Sequence, residues 1–193
     1  MKLEITYQEK YSRSELILRT LFGGLYILLP HNFLLFFASL WGAMLHFISF
    51  WIILFTARYP QSNFEYQEKL IRWKLRVNSR LMNLADDYPG FGLDATDNHV
   101  TFEVEYPVGI SRSSVLLRAF FGAFYVALPH AFILIFRVLW GGILSMLAFW
   151  IVLFTGSYPK SWHEFQVGTM RWSTRVSLYL MYMSDEYPPF SSE

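Results

Sequence analysis

The chain has 193 residues, of which 54% are hydrophobic, 20% aromatic and only 16% charged, against about 25% charged residues in ordinary soluble proteins. The 16 basic and 15 acidic residues nearly cancel, so no overall positive charge favours nucleic acid as a partner. The absence of cysteine excludes disulfides, thiolate metal sites and cysteine nucleophiles.

Two short segments are predicted to be strands. Residues 3–7 alternate apolar and polar side chains, and so do residues 102–106. Alternation with period two predicts half-buried strands. We expect them to pair with each other outside the bilayer, because lipid offers no partner for a free strand edge. The first 15 residues mix both charges and lack an apolar stretch, so we do not expect a cleavable signal peptide.

Two long apolar runs dominate the rest of the chain. Residues 20–57 contain no Asp, Glu, Lys or Arg, and residues 119–157 contain one such residue, Arg137. Apolar runs of this length are typical of membrane spans, so the sequence predicts an integral membrane protein. As one continuous helix, the first run would be about 57 Å long, nearly twice the hydrocarbon thickness of about 30 Å.

We therefore predict a helical hairpin with two crossings in each half, over about residues 16–57 and 115–156. Arginines flank both ends of each run, and the positive-inside rule would place both flanks in the cytoplasm. The turn is expected near residues 40–43, and Arg137 would mark a turn, a polar cavity or a partner contact. In the alternative, a surface helix ends at Pro30 and one tilted span follows, which would invert the two halves relative to each other.

A more polar segment follows each apolar run. Over about residues 62–85, charged and apolar side chains gather on different sides of a helical wheel. Residues 161–184 repeat the pattern with more apolar side chains. The pattern predicts amphipathic helices that lie in the headgroup plane, the second of them covered by other protein.

The two halves are copies of one unit. A shift of 99 positions aligns residues 3–91 with residues 102–190 without a gap, and 41 of the 89 positions are identical. We expect a first unit over residues 1–91, a linker over 92–100 and a second unit over 101–193. The predicted fold is mostly α: a tandem repeat of short strand, membrane hairpin and amphipathic surface helix, related by a pseudo-two-fold axis.

No pattern in the chain is typical of catalysis. There is no glycine-rich phosphate loop, no metal-ligand spacing and no arrangement of nucleophile and base, so we predict no enzyme activity, no cofactor and no metal. Ten charged residues are instead candidates for binding lipid headgroups or for structural ion pairs: Arg13, Arg19, Arg72, Arg76, Asp86, Arg112, Arg118, Arg171, Arg175 and Asp185.

Three interpretations of these charges stay open. Arg13 and Arg19 precede an apolar run and can extend their side chains to lipid phosphates. Arg72 and Arg76 share a helix face and can bind an anionic headgroup. Asp86 lies just past a helix C-terminus, where the helix dipole disfavours negative charge. We favour a structural ion pair between Asp86 and an arginine such as Arg13 or Arg72.

His31 and His130 each follow a proline within an apolar run. As a symmetric pair they could ligate a haem or a metal, which would support a redox role. Each half offers only one recurring histidine, however, whereas a membrane haem usually needs histidines on facing helices. We therefore favour a structural role, in which each ring bonds a backbone carbonyl that the proline leaves free.

Four motifs in the second half resemble a known family: Pro129–His130, LFTGxYP at 153–159, RWSxRV at 171–176 and DEYPPF at 185–190. They are similar to a bacterial membrane domain family described only as a domain of unknown function. The pattern occurs once per half, with the better match in the second. The resemblance implies a multi-pass protein of the bacterial inner membrane, and it implies no activity, substrate or cofactor.

The expected function is non-enzymatic. We expect an accessory or assembly subunit of a larger inner-membrane complex, whose partners are anionic lipid headgroups and other membrane protein subunits. One alternative is handling or transport of a lipid or an anionic ligand at the interface between the repeats. Another is membrane shaping, in which the hairpins wedge one leaflet.

Overall fold

The computed structural model describes all residues, 1–193, and is mostly helical. The first half contains β1 (Lys2–Ile5), α1 (Arg13–Gly23), a π-helical turn (Gly24–Leu28), α2 (Leu29–Thr56) and α3 (Gln61–Leu81). The second half contains β2 (Val100–Glu103), α4 (Arg112–Gly122), a π-helical turn (Ala123–Ala127), α5 (Leu128–Thr155) and α6 (Lys160–Leu180).

Each apolar run forms one continuous helix. The first long helix covers Arg13–Thr56 and the second covers Arg112–Thr155, with 44 residues each. The hairpins predicted over residues 16–57 and 115–156 are therefore wrong. Most residues near positions 40–43 are good helix formers, and a single glycine there weakens a helix without ending it. By length and composition, both long helices could cross a membrane.

A widened turn lets each long helix continue past its proline. Pro30 has no N–H and crowds the carbonyl of the preceding turn, which would normally break a helix. Here the Leu29 N–H bonds the Gly24 carbonyl, five residues back, as in a π-helical turn. Leu128 and Ala123 make the same bond in the second half. The helix therefore does not end at Pro30, as the single-span alternative assumed.

α3 folds back along the first long helix. Near one end of this contact, Asn63 Nδ2 donates to Ser49 Oγ at 3.0 Å. Near the other, a Cβ on Gly23 would lie 3.5 Å from the Leu81 side chain. α6 packs on α5 in the same way. Each half is thus a long helix with a shorter helix lying along much of its length.

Glycines let these helices approach closely. Gln67 Nε2 donates to the Gly42 carbonyl at 2.6 Å, and Gln166 Nε2 donates to the Gly141 carbonyl at 2.6 Å. A Cβ on Gly42 would lie 2.9 Å from Leu70 Cδ2. A side chain at either glycine would therefore push the helices apart, which explains small residues at this contact.

α3 and α6 end earlier than predicted and are not simple surface helices. Asn83 and Tyr182 adopt positive φ angles of 55° and 63°, which turn the chain just after Leu81 and Leu180. The amphipathic segments expected over residues 62–85 and 161–184 are therefore shorter. Each of these helices also contacts its long helix as well as a strand, so its charged face is largely covered.

The two strands join the halves. β1 and β2 pair antiparallel, with Leu3 opposite Phe102. Leu3, Ile5, Val100 and Phe102 are buried in one core that also contains side chains from both long helices, while the alternate residues of the strands are exposed. The alternation read from the sequence therefore places the apolar face of the sheet correctly.

Each half also forms a backbone hydrogen bond to the residue that follows the long helix of the other half. The Tyr11 N–H donates to the Gly156 carbonyl at 2.8 Å, and the Ile110 N–H donates to the Ala57 carbonyl at 2.9 Å. The start of each long helix consequently lies beside the end of the other.

Candidate functional site

Asp86 fastens the chain after α3 to the start of the first long helix. Its Oδ2 accepts the Ser12 N–H at 2.7 Å, and its Oδ1 accepts from Arg19 Nη2 at 2.7 Å. The sequence predicted an arginine partner for Asp86, and the structure shows Arg19 instead of Arg13 or Arg72. Because only 4% of Arg19 is exposed, its guanidinium is committed to this pair and does not reach lipid phosphates.

The second half has the same contact between an aspartate and an arginine, but other groups surround the arginine. Asp185 accepts the Ser111 N–H at 2.9 Å and a hydrogen bond from Arg118 Nη2. Arg118 Nη1 also donates to the Ser184 carbonyl at 2.6 Å, and its guanidinium lies 4.4 Å from the centre of the Tyr179 ring. Arg118 and Asp185 thus serve the same structural purpose as Arg19 and Asp86.

Arg13 and Arg112 lie at the ends of the long helices. Arg13 Nη2 donates to the Phe154 carbonyl and Arg112 Nη2 to the Phe55 carbonyl, both at 2.9 Å. A cation at a helix C-terminus complements the negative end of the helix dipole. Each arginine therefore caps the long helix of the other half, although both side chains keep exposed surface.

Arg72 and Arg171 bind the sheet rather than free phosphate. Arg72 donates through Nε and Nη2 to the Phe102 carbonyl at 3.1 and 2.9 Å. Arg171 donates in the same way to the Leu3 carbonyl at 3.3 and 3.1 Å. Each helix thus holds the strand of the opposite half.

Arg76 and Arg175 bind loop carbonyls. Arg76 donates to the Gly92 carbonyl at 2.5 Å and to the Ala95 carbonyl, and Arg175 donates to the Ser191 carbonyl at 2.7 Å. Burial lowers the pKa of both guanidinium groups. Because Arg76 has no exposed surface, the basic face expected from the spacing of Arg72 and Arg76 is not open to a lipid headgroup.

His31 and His130 each lie in an aromatic pocket of the protein. Trp73 Nε1 donates to His31 Nδ1 at 2.9 Å, and the imidazole stacks on Phe91 with 4.0 Å between ring centres. The second half repeats the arrangement around His130, where Trp172 Nε1 donates to Nδ1 at 2.8 Å.

In this pocket the histidine nitrogens are poorly placed to ligate a metal. Because Nδ1 accepts a hydrogen bond, the ring proton of a neutral imidazole lies on Nε2. In both histidines Nε2 is buried without a partner. A tryptophan is the partner in place of the predicted carbonyl. It lies 42 residues further along the chain, so no local pattern connects it with the histidine. No group of three or more His, Cys, Asp and Glu side chains could hold a metal ion.

Arg137 lies within a continuous helix, not at a turn. Its Nε donates to Thr169 Oγ1 at 3.2 Å, and its guanidinium lies 4.3 Å from the centre of the Phe165 ring. The aromatic face and the hydroxyl partly replace water around the charge. Arg137 therefore belongs to the contact between α5 and α6.

The largest exposed feature is apolar. Only 17% and 22% of the most apolar windows of the two long helices are buried. More than half of each of the following side chains is exposed: Leu25, Phe33, Phe37, Phe47 and Phe55 in the first long helix, and Phe124, Phe132, Phe136, Met146 and Phe154 in the second. We call this surface the apolar face.

Comparison with known proteins concerns the second half only. Residues 112–192 match a family model described as a domain of unknown function, DUF4389. The match covers less than half of the chain and agrees with the better fit of the second half to a family of unknown function. No curated protein and no solved structure matches the chain.

Proposed function

We propose that the protein is a non-enzymatic membrane protein that acts through contacts with lipid and other membrane proteins, as an accessory or assembly subunit of a bacterial inner-membrane complex. The observation that supports this proposal is the apolar face. Monomeric soluble proteins rarely expose contiguous apolar patches larger than a few hundred Å². A surface that follows two helices of 44 residues each therefore needs lipid or protein to cover it.

The position of α3 favours long helices that lie along the membrane. α3 follows the first long helix from Ser49 to Gly23 and carries the exposed charges of Glu65 and Lys74. If the long helix crossed the bilayer, α3 would bring these charges into the hydrocarbon, at about 3 kcal/mol for each unpaired charge at the centre. A helix of 44 residues is also about 66 Å long, twice the hydrocarbon thickness of about 30 Å.

In this proposal both long helices lie in one leaflet, with α3, α6 and the sheet on the water side. This orientation replaces the multi-pass topology expected from the sequence. It places the apolar face in the acyl layer and leaves the ion pairs of α3 in or above the headgroups.

The absence of cysteine makes the orientation directly testable. Ser14 and Arg58 are exposed at opposite ends of the first long helix. Single Ser14→Cys and Arg58→Cys variants, in sealed inner-membrane vesicles, should react with a membrane-impermeant maleimide from the same side. The control is Leu40→Cys, which lies one turn after Phe37 of the apolar face and is 56% exposed. It should react only after detergent is added. Labelling of Ser14→Cys and Arg58→Cys from opposite sides would show that the helix crosses the bilayer and would overturn this orientation.

The accessory role has its own test. The tagged protein is extracted from its native membranes in a mild detergent and analysed by native gel and mass spectrometry. Recovery with a partner at fixed stoichiometry supports an accessory subunit. Recovery as a monomer or homodimer with bound lipid contradicts that role and leaves a function based on lipid contacts.

Membrane shaping is the second candidate, because helices that lie within one leaflet expand that leaflet alone. The protein would be reconstituted into large vesicles at increasing protein-to-lipid ratio and imaged by electron microscopy. Narrow tubules that increase with protein support shaping, and vesicles of unchanged size and curvature contradict it.

A further inference from the structure

An open groove of about 530 Å³ runs between α2 and α3 in the first half. Its walls combine four polar side chains, Asn32, Ser39, Lys74 and Asn78, with the apolar Leu28 and Phe36. No acidic residue lines it. The groove therefore offers a cation and three hydrogen-bonding side chains beside an apolar wall.

The four polar side chains of this groove have no partners within the protein. None of them makes a hydrogen bond or an ion pair with another protein group. Other cations on the same helix are paired: Lys69 Nζ lies 2.6 Å from Asp94 Oδ1, and Arg72 Nη2 lies 2.8 Å from Glu68 Oε1. Lys74 is thus the cation of α3 that has its charge free for an external anion.

The second half lacks this group of residues. At the positions that align with Asn32, Ser39, Lys74 and Asn78, it has Ala131, Val138, Ser173 and Ser177. The packing of the long helix against the helix that follows it is nevertheless the same in both halves, as the Gln67–Gly42 and Gln166–Gly141 bonds show. The four polar side chains are therefore not needed for that packing.

We propose that the groove binds an anionic phospholipid, with the headgroup phosphate at Lys74 and an acyl chain against Leu28 and Phe36. The Lys74 ammonium supplies a charge-assisted hydrogen bond, while the Asn32 and Asn78 amides and the Ser39 hydroxyl can donate to the remaining phosphate oxygens. Leu28 and Phe36 are 37% and 64% exposed. The Phe36 ring contacts Phe37 of the apolar face, with 5.3 Å between ring centres, so the groove borders that face. A soluble phosphate would leave this apolar wall without a partner.

This inference rests on the proposed orientation, in which the boundary between α2 and α3 lies at the headgroup level. There, a lipid can reach the cation with its phosphate while its chain stays in the acyl layer. A zwitterionic headgroup carries its own cation, which competes with Lys74 for the phosphate. The groove should therefore select lipids with net negative charge.

Native mass spectrometry of the full-length protein in mild detergent tests the site. Phosphatidylglycerol and phosphatidylcholine with identical acyl chains are titrated separately. We expect one saturable phosphatidylglycerol site with about tenfold higher affinity than phosphatidylcholine, a difference of about 1.4 kcal/mol. The variant Asn32→Ala/Ser39→Val/Lys74→Ser/Asn78→Ser, which copies the second half, should lose this preference. Lys69→Gln, which changes a paired cation on the same helix, should keep it.

The second half provides a gain-of-site experiment. The variant Ala131→Asn/Val138→Ser/Ser173→Lys/Ser177→Asn should bind a second phosphatidylglycerol with similar affinity. Far-UV circular dichroism of each variant would establish that it is folded. If a quadruple variant fails to fold, Lys74→Gln alone supplies the comparison and should reduce the preference at least threefold.

Three results would overturn the proposal. They are equal affinity of the wild type for the two lipids, an unchanged preference in folded variants without Lys74, and displacement of the lipid by millimolar inorganic phosphate. The last would identify a soluble phosphate as the ligand. Alkaline carbonate extraction distinguishes a failure of the groove proposal from a failure of the proposed membrane function. A protein that stays in the membrane without lipid preference lacks only the groove site, whereas one released by carbonate contradicts the proposed membrane function.

Discussion

The two halves of the molecule agree in the middle of their helix pairs. In both, a tryptophan donates to the histidine that follows the proline, at 2.9 Å for Trp73 and His31 and at 2.8 Å for Trp172 and His130. The glutamine–glycine bonds also recur at one distance. These contacts set the spacing between two helices, so a change on one side would require a matching change on the other.

The halves differ where the helix pairs end. In the first half, Arg80 Nη2 and Asp97 Oδ2 form a buried ion pair at 2.9 Å. Tyr179 aligns with Arg80 in the second half, and its ring lies beside the guanidinium of Arg118. An ion pair and a cation–π contact thus occupy equivalent places. At the ends of the helix pairs a buried charge therefore needs compensation, but different groups can provide it. In the middle of the helix pairs the side chains of the two helices must instead match in size and position.

The ion pair of the first half should give the largest effect. In Asp97→Asn, Arg80 keeps its charge with only 2% of its side chain exposed, so we expect a loss of about 4 kcal/mol in the free energy of unfolding. The amide oxygen can still accept from the N–H groups of His99 and Val100, which Asp97 Oδ1 binds at 2.9 Å. Detergent-induced unfolding followed by far-UV circular dichroism measures the loss.

Removing both charges provides the control for that prediction. Arg80→Met/Asp97→Asn should recover most of the stability, because no uncompensated charge remains buried. In the second half, Tyr179→Phe should cost only about 1 kcal/mol, because it removes one hydrogen bond, to the Tyr125 hydroxyl. A double variant as unstable as Asp97→Asn would contradict the charge explanation.

A larger side chain at the glycine contact should cause the next largest loss in the free energy of unfolding. The loss should be equal in the two halves. A Cβ on Gly141 would lie 2.7 Å from Gln166 Oε1, so Gly141→Leu should lower the free energy of unfolding by about 3 kcal/mol. Gly42→Leu should cost the same. Gly142→Leu is the matched control, since no atom lies within 4 Å of its Cβ position. A loss confined to one half would refute the equivalence of the two contacts.

The tryptophan–histidine bond should contribute less. Trp73→Phe and Trp172→Phe each remove one donor and leave a buried imidazole nitrogen without a partner, so each should cost about 1–2 kcal/mol. The same unfolding measurement applies. The second variant should match the first, since both bonds are buried and of similar length. No loss in either variant would mean that the stacked phenylalanine alone positions the ring.

The smallest expected effect is a pH dependence of stability. It arises from a histidine that only the second half has at its position. His163 is buried against Tyr7, and burial lowers its pKa below the value of about 6.5 in an unfolded chain. Below about pH 6.5 the unfolded state therefore binds more protons, and stability falls as pH drops until it reaches the folded-state pKa. Above pH 7 this contribution is constant.

The aligned residue of the first half supplies the matched change. His163→Phe copies Phe64 and should reduce the loss of stability between pH 7 and pH 5, while Phe64→His should increase it. Unfolding midpoints measured across this range provide the comparison. Identical pH profiles for wild type and His163→Phe would show that another group causes any dependence.

Local patterns in the sequence predicted several features correctly. The period-two alternation predicted two strands through Leu3 and Phe102, which lie opposite each other. The strands end at Ile5 and Glu103, however, and not at residues 7 and 106 as predicted. The charge of Asp86 beyond a helix end predicted an arginine partner. The hairpins were wrong because each apolar run continues as one helix of 44 residues. The flanking arginines were a poor guide to topology, because Arg19 is buried in an ion pair with Asp86.

The sequence by itself determined the two apolar runs, the repeated unit and the helical character of each segment, because these depend on side chains close together in the chain. Only the tertiary structure decided which charges are free. Arg171 binds the carbonyl of Leu3, 168 residues away, and Arg13 binds the carbonyl of Phe154, 141 residues away, at the end of α5. Such contacts depend on how the two halves pack. Two arginines that both precede the first apolar run can therefore differ, as Arg19 and Arg13 do: the first is buried and the second is exposed.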